Sequence, residues 1–239
     1  MQPQKLQGLK LFDAYHQIAI LCSLLFIVLL LVISTRLTRK EQNLVIKYLI
    51  VFTIGQEIAD YLGRIDFNGL TLKRDLPLHL CHYGLYMGLY SLYKKNQFCF
   101  EFTFLIGIIS ALLAIFTPDM SDYNNWTNYI TYFIHHSLII IFPLWNIFID
   151  KLTLRKFSIV YSFLFSVFMI LPVGIICWIT GGNYMYLRSA PNVDNPLLFG
   201  DWPYYIINCI VIGFILMSFS FLIFHIIKRS HVLFKIKII

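Results

Sequence analysis

Repeated apolar runs of roughly 20 residues most strongly limit what this 239-residue chain can fold into. A run of that length crosses the hydrocarbon core of a bilayer as a helix. Because no water reaches the backbone there, its hydrogen bonds must form within the segment, which makes it helical. Only 13% of the residues are charged, whereas a soluble domain carries about 25%. The sequence predicts an all-α, polytopic membrane protein.

We place seven transmembrane helices in one domain that covers residues 1–239. Their approximate bounds are 15–34, 44–62, 77–93, 98–117, 128–149, 157–180 and 203–227. The first run has basic residues after it and no small-residue cleavage site, so we expect a retained helix and not a signal peptide. Gly84 and Gly88 lie four residues apart in the third span, a spacing that favours close helix packing.

Basic residues follow every second span, and the loop after span 2 also has Arg64, Lys73 and Arg74, partly offset by Asp66 and Asp75. The loops after spans 1, 3, 5 and 7 contain Arg36, Arg39, Lys40, Lys94, Lys95, Lys151, Arg155, Lys156, Lys228, Arg229, Lys235 and Lys237. The loop after span 4 instead contains Asp119 and Asp122. The positive-inside rule then predicts an outside N-terminus, a cytoplasmic C-terminus and a multi-pass protein of the cell membrane. The net charge of +7 is explained by this orientation, so we do not expect nucleic acid as a partner.

The unusual polar residues gather at the outer ends of the predicted spans. They are Glu57, Asp60, His79, Cys81, His82, Thr117, Asp119, His135, His136, Asn183, Tyr184 and Tyr186. Ionisable groups within membrane spans are costly and usually face the interior of a bundle, where they mark a functional site. The pattern predicts one polar cavity that opens toward the outer leaflet.

Cys81 lies near the predicted start of span 3. Pro77 suits a first helical turn and Asp75 suits a cap, so the thiol would lie near the positive end of the helix dipole, which favours a thiolate. His135 and His136 are adjacent and therefore differ by about 100° around their helix, so at least one should face the bundle. A nucleophile–base pair with Cys81 follows as a hypothesis. The alternative is a small buried packing residue.

Two carboxylates of span 2 share a face with a cation. Glu57, Asp60 and Arg64 stand at positions i, i+3 and i+7, so Asp60 can pair with Arg64. Glu57 lies one turn deeper and needs a partner, either a histidine or Arg64. For Asp60 a structural ion pair is an equally good interpretation.

Four histidines offer enough imidazole for a zinc ion. His79 and His82 share a face of span 3, and His135 and His136 lie in span 5. Their spacing matches no specific zinc signature. We therefore predict no metal and no other cofactor, and keep a metal site as an alternative.

Three segments together resemble the YwaF-type family of bacterial integral membrane proteins. They are Leu-Pro-Leu-His-Leu-Cys81, His135-His136-Ser137, and Gly182-Asn-Tyr-Met-Tyr-Leu187 followed by Pro191 and Asp201-Trp-Pro203. Animal relatives of this family include a transmembrane acyltransferase that moves fatty acyl chains between lipids. The resemblance implies Cys81 as the nucleophile and His136 as its base. The tandem histidines, and His82 directly after the cysteine, depart from the family pattern.

The preferred hypothesis is a cysteine-dependent lipid acyltransferase or lipid hydrolase that acts on membrane lipids. A histidine, His136 or His135, serves as base, with His79 as a further candidate catalytic residue. Glu57 or Asp60 orients the histidine. Asn183, Tyr184 or backbone N–H groups near the start of span 3 stabilise an oxyanion, and His82 and Tyr186 are further candidates for binding the substrate.

Two alternatives come from other functional classes. A transporter, or the substrate-binding subunit of an importer, would have a similar outward-facing polar pocket. A metal-dependent hydrolase would use the four histidines differently. An ATPase that copurifies with an unmodified ligand, or loss of activity with a chelator, would identify the first or the second.

Overall fold

The computed structural model describes residues 10–118, 125–190 and 199–229. Within these ranges the chain forms seven long helices and no strand. They are α1 (Ala14–Arg36), α2 (Arg39–Asn68), α3 (Leu80–Lys94), α4 (Gln97–Phe116), α5 (Trp126–Phe148), α6 (Ser158–Thr180) and α7 (Tyr204–Arg229). The predicted all-helical class and helix count are confirmed. Asp119, Asp122, Pro191 and Asp194 lie outside the described residues.

Five of the helices, α1, α4, α5, α6 and α7, are long and apolar enough to cross a membrane. Each begins and ends within two residues of its predicted span. The other two differ. Helix α2 extends beyond the predicted 44–62 at both ends. Helix α3 has 15 residues and begins at Leu80, three residues after the predicted start at 77. At 1.5 Å per residue α3 is only about 22 Å long.

Polar side chains at several helix starts explain where those helices begin. Asp13 accepts a hydrogen bond from the backbone N–H of His16 at the start of α1. Thr38 and Glu41 form a reciprocal capping box at the start of α2. Asn125 accepts from the N–H of Asn128 at the start of α5. Each cap satisfies backbone donors that the first helical turn leaves without a partner.

Helix α5 is the central element of the bundle. It packs against α1, α2, α3 and α4, and most of its residues are buried. Most residues of α6 and α7 are at least partly exposed. Residues on α5 are therefore in position to meet side chains from several helices at once.

Helices α3, α4 and α5 approach closely at three glycines. A Cβ atom at Gly84 would lie 3.3 Å from Ile139, and one at Gly107 would lie 3.0 Å from both Ile139 and Thr103. Gly107 ends a π-helical segment, Thr103–Gly107, inside α4. The close packing predicted from Gly84 and Gly88 is confirmed.

We expect Gly88→Ala to destabilise the protein by about 1–3 kcal/mol, as overpacking of a filled core does. The new Cβ would lie 2.9 Å from the Phe142 ring and 3.1 Å from Thr103. The measurement is the thermal unfolding midpoint in detergent. Gly55→Ala is the matched control, since a Cβ there meets nothing within 4 Å. Equal unfolding midpoints for the two variants would show that the close packing at Gly88 does not make the protein sensitive to an added Cβ atom.

An ion pair between a buried carboxylate and a half-exposed arginine connects the loop before α6 to α4. Glu101 is fully buried and accepts hydrogen bonds from the Arg155 backbone N–H at 2.8 Å and from Arg155 Nη2 at 2.7 Å. Gln97 Nε2 donates to the same carboxylate at 2.8 Å. These partners compensate the cost of burying the charge.

Candidate active site

The segment before α3 is not helical, contrary to the prediction. Helix α3 begins at Leu80 with His79 as its N-cap, and no side chain caps it. Pro77 precedes the helix, and Asp75 is not its cap. Asp75 instead accepts from the backbone N–H of Thr71 at 2.7 Å and from Arg74 Nε at 2.9 Å. Cys81 is therefore the second residue of α3.

Distant parts of the chain hold this segment in place. The Tyr184 hydroxyl donates to the carbonyl oxygen of Leu72 at 2.6 Å and accepts from the N–H of Leu76 at 3.0 Å. The Tyr61 hydroxyl donates to the carbonyl oxygen of Asp75 at 3.0 Å. The position of Cys81 thus depends on side chains from α2 and from the α6–α7 connection.

The Asp75 carboxylate stays charged in this environment. Burial by itself would raise its pKa, but hydrogen bonds from Arg74, the Thr71 N–H and Arg64 hold the pKa below its ordinary value. Because a charged carboxylate accepts several hydrogen bonds at once, Asp75 organises the turn before α3.

Glu57 of α2 orients a histidine of α5. Its Oε1 atom lies 2.8 Å from His135 Nδ1. Gln56 Nε2 donates to the same oxygen at 2.8 Å, and the Tyr86 hydroxyl donates to Oε2 at 2.8 Å. Of the two partners expected for Glu57, a histidine or Arg64, the structure shows a histidine, His135. Three hydrogen bonds fix the carboxylate and with it the imidazole ring.

The Cys81 thiol faces three imidazoles. Its Sγ atom lies 3.7 Å from His82 Nδ1, and the side chains of His135 and His136 lie beside it. Nε2 of His135 is buried and has no hydrogen-bond partner among the described residues. Since Nδ1 of His135 is bound to Glu57, Nε2 is the nitrogen available to the thiol.

His136 has a different second partner. Its Nδ1 atom lies 2.8 Å from the carbonyl oxygen of Tyr132. A carbonyl oxygen only accepts, so this nitrogen carries a proton. The rings of His135 and His136 lie 5.1 Å apart, and both residues are buried. Both of the tandem histidines therefore face the bundle, and only His135 is bound to a carboxylate.

The two histidines at the start of α3 separate into different environments. The His82 ring lies 5.2 Å from the His135 ring, within the cluster around the thiol. His79 packs against the loop after α6, with ring distances of 5.6 Å to Tyr184 and 5.3 Å to Tyr186. His79 is also the N-cap residue of α3, and its side chain makes no capping hydrogen bond.

Asp60 joins α2 to α5 and not to a histidine. Its carboxylate accepts from Arg64 Nε at 2.7 Å, as predicted, and from Asn128 Nδ2 and Thr131 Oγ1 at 2.8 Å each. The structural interpretation of Asp60 is therefore favoured. Asn128 and Thr131 were missed from the sequence, although their spacing to His135, i, i+3 and i+7, places all three on one face of α5.

The two residues expected to bind an oxyanion use their donors within loops. Asn183 Nδ2 donates to Ser189, and its Oδ1 accepts from the N–H of Arg188 at 2.9 Å. Tyr184 holds the segment before α3. The carbonyl oxygen of Tyr186 accepts from the Tyr205 hydroxyl, which connects the loop to α7.

These residues line a cavity of about 930 Å³. One wall is polar and carries the side chains described above. The other is formed by α4, α6 and α7 and is mainly apolar. Within residues 10–118, 125–190 and 199–229, no three His, Cys, Asp or Glu side chains are grouped as a metal site requires.

Fold and site together define a polytopic helical membrane protein with a Cys–His–Glu cluster at one end of its bundle. The chain matches the model of the TMEM164 family over residues 11–223, and it belongs to this family of transmembrane proteins. Comparisons with curated proteins and with solved structures give no match. Membership confirms the predicted membrane class, while the YwaF-type relation and the acyltransferase activity stay predictions.

Proposed function

We propose that this protein is a cysteine-dependent acyltransferase or hydrolase of membrane lipids. The observation that carries the proposal is the order Glu57–His135–Cys81. A carboxylate bound to one nitrogen of an imidazole, with a thiol at the other nitrogen, is the arrangement that activates cysteine nucleophiles.

In the proposed reaction His135 Nε2 takes the thiol proton, and Sγ of Cys81 attacks the carbonyl carbon of a lipid ester. The tetrahedral intermediate breaks its bond to the alcohol oxygen, which receives the proton from His135. An acyl thioester on Cys81 remains. The hydroxyl of a second lipid, or water, then attacks the thioester while His135 again accepts and returns the proton. The thiol is restored and the acyl group has moved.

Backbone N–H groups at the start of α3 are the best candidates for stabilising the oxyanion. Leu80 and Cys81 occupy the first turn, where N–H groups have no partner inside the helix, and no capping side chain occupies them. Both residues line the cavity. The positive end of the helix dipole also favours the thiolate. This assignment replaces the Asn183 and Tyr184 side chains.

His135 is favoured over His136 as the base, although the family resemblance implies His136. Glu57 stabilises the imidazolium that forms when His135 takes a proton, whereas the Tyr132 carbonyl offers His136 only a dipole. The hydrogen bond between a catalytic nucleophile and its base often shortens only when substrate binds.

The charge pattern of the loops predicts an outside N-terminus in the cell membrane, and on that orientation the cluster lies at the outer end of the bundle. Lys73 and Arg74 line the same cavity. Their cationic groups suit the phosphate of a lipid headgroup.

The direct test is to trap the acyl-enzyme. Purified protein in nanodiscs is mixed with a phospholipid that carries an alkyne-tagged acyl chain, with no acceptor lipid added. We expect a thioester on Cys81 that neutral hydroxylamine removes and that peptide mass spectrometry locates. Label on the other four cysteines alone, or equal label on Cys81→Ala, would contradict the proposal. Copurification of an ATPase with an unmodified soluble ligand would support the importer hypothesis instead.

A further inference from the structure

The cavity extends well beyond the groups that the proposed chemistry uses. Its far part is lined by one face of each of three helices. The apolar residues and the glycine that recur along these faces are Leu105, Ile109 and Leu113 on α4, Phe163, Val167 and Ile170 on α6, and Ile206, Ile210, Gly213 and Met217 on α7, with Ser110, Ser166 and Cys209 beside them. On each helix the residues recur at three- or four-residue spacing, so each set forms one stripe. The result is an apolar arm that is continuous with the polar site.

The arm is deep and closes against the core. Ile206 and Met217 are separated by about 16 Å along the α7 axis at 1.5 Å per residue. Met217 and Leu105 also belong to a buried apolar cluster that includes Phe100 and Phe224. These buried side chains form the end of the arm.

Gly213 lies in the middle of the α7 stripe. A Cβ atom built there meets nothing within 4 Å, in contrast to Gly88, where one would lie 2.9 Å from Phe142. Helix packing therefore does not require glycine at position 213. The absence of a side chain instead keeps the middle of the arm open.

We propose that this arm holds the acyl chain of the lipid substrate and that Gly213 sets the chain length that the site accepts. The inference rests on the proposed acyl transfer. Apolar walls remove the chain from water, and a cavity of this kind surrounds its ligand with apolar side chains and a few polar groups at one end. The ester would then lie at Cys81 and the methyl end near Met217.

The test compares Gly213→Phe with the unchanged protein on two ester substrates, one with a palmitoyl and one with an octanoyl chain. A phenyl ring in the arm should exclude the distal part of the longer chain. We expect the palmitoyl-to-octanoyl ratio of kcat/KM to fall at least about tenfold, since a misfit of one or a few methylenes changes this ratio by about 10- to 200-fold. Gly55→Phe is the matched control, because its Cβ also meets nothing within 4 Å and the residue does not line the cavity. An unchanged ratio in Gly213→Phe would overturn the inference.

A second measurement does not depend on turnover. A phospholipid with a diazirine near the end of its acyl chain is irradiated with the protein, and the crosslinked residues are mapped. We expect crosslinks at Ile210 and Met217 that Gly213→Phe removes. Crosslinks confined to lipid-exposed positions such as Ile215 and Phe219 would overturn the inference. If the arm is labelled while no thioester forms on Cys81, the chemistry is wrong and the chain-binding arm stands.

Discussion

Cys81→Ala is expected to lose acyl transfer by at least about 10³-fold, because removing the nucleophile of a catalytic unit leaves only binding and oxyanion stabilisation. The measurement is transfer of a labelled acyl chain between phospholipids in nanodiscs under single-turnover conditions. The alanine side chain occupies less space than the thiol and introduces no charge. We therefore expect the variant to fold, with an elution volume and an unfolding midpoint in detergent close to those of the parent.

Cys22→Ala is the control for a cysteine outside the site, since Cys22 is exposed on α1. It should retain parental transfer. Parental turnover by folded Cys81→Ala would refute the nucleophile assignment, whatever the control shows.

His135→Ala is expected to reduce the rate of acylation by about 10²–10⁴-fold, which is the usual contribution of a general base. His136→Ala should reduce it less, because His136 has no carboxylate partner. Single-turnover formation of the Cys81 thioester measures both variants directly. If His136→Ala is the more damaging change, the base is the residue that the family resemblance implies, and the assignment from geometry is wrong.

Glu57 acts through His135 and is therefore a positioning residue, so its test needs more than lost activity. Glu57→Gln retains the shape of the side chain but removes the charge that stabilises the imidazolium. We expect a lower acylation rate together with a shift of the pH–rate profile, and partial recovery in Glu57→Asp. A lower rate with an unchanged pH profile would indicate only a structural role.

Much of the fold was accessible from the sequence because hydrocarbon imposes helices on apolar runs. Helices α1, α4, α5, α6 and α7 lie where hydropathy predicts them. The clustering of Glu57, Cys81 and His135 at one end of the bundle was accessible for a related reason. Charge is costly in a bilayer, so ionisable residues within spans tend to lie together.

The start of α3 could not be predicted from the sequence. Pro77 and Asp75 fit a helix start by local preference, but Asp75 gains more from Arg64, Arg74 and the Thr71 N–H than from capping. Tertiary contacts of this kind outweigh local propensity. Tyr184 contributes equally, and nothing in the residues around position 76 indicates that a tyrosine more than 100 positions later binds there.

The choice between His135 and His136 was not accessible either. Adjacent residues on a helix point about 100° apart, so a choice between them requires the rotation of α5 relative to α2 and α3. The sequence contains a usable signal in Asn128, Thr131 and His135, which form one polar stripe. That stripe identifies His135 as the residue on the same face as the contacts to Asp60.

The hydrogen bonds from Tyr184 to Leu72 and Leu76 have a consequence for biosynthesis. A ribosome delivers the thiol, the imidazole and the carboxylate with the first five helices, well before it delivers the tyrosine that secures the nucleophile's position. A nascent chain halted after the fifth helix would contain every reacting group but not Tyr184, whose hydrogen bonds hold the segment before α3 in place. We therefore expect the site to become able to react with lipid only late in synthesis, when most of the polypeptide has entered the bilayer.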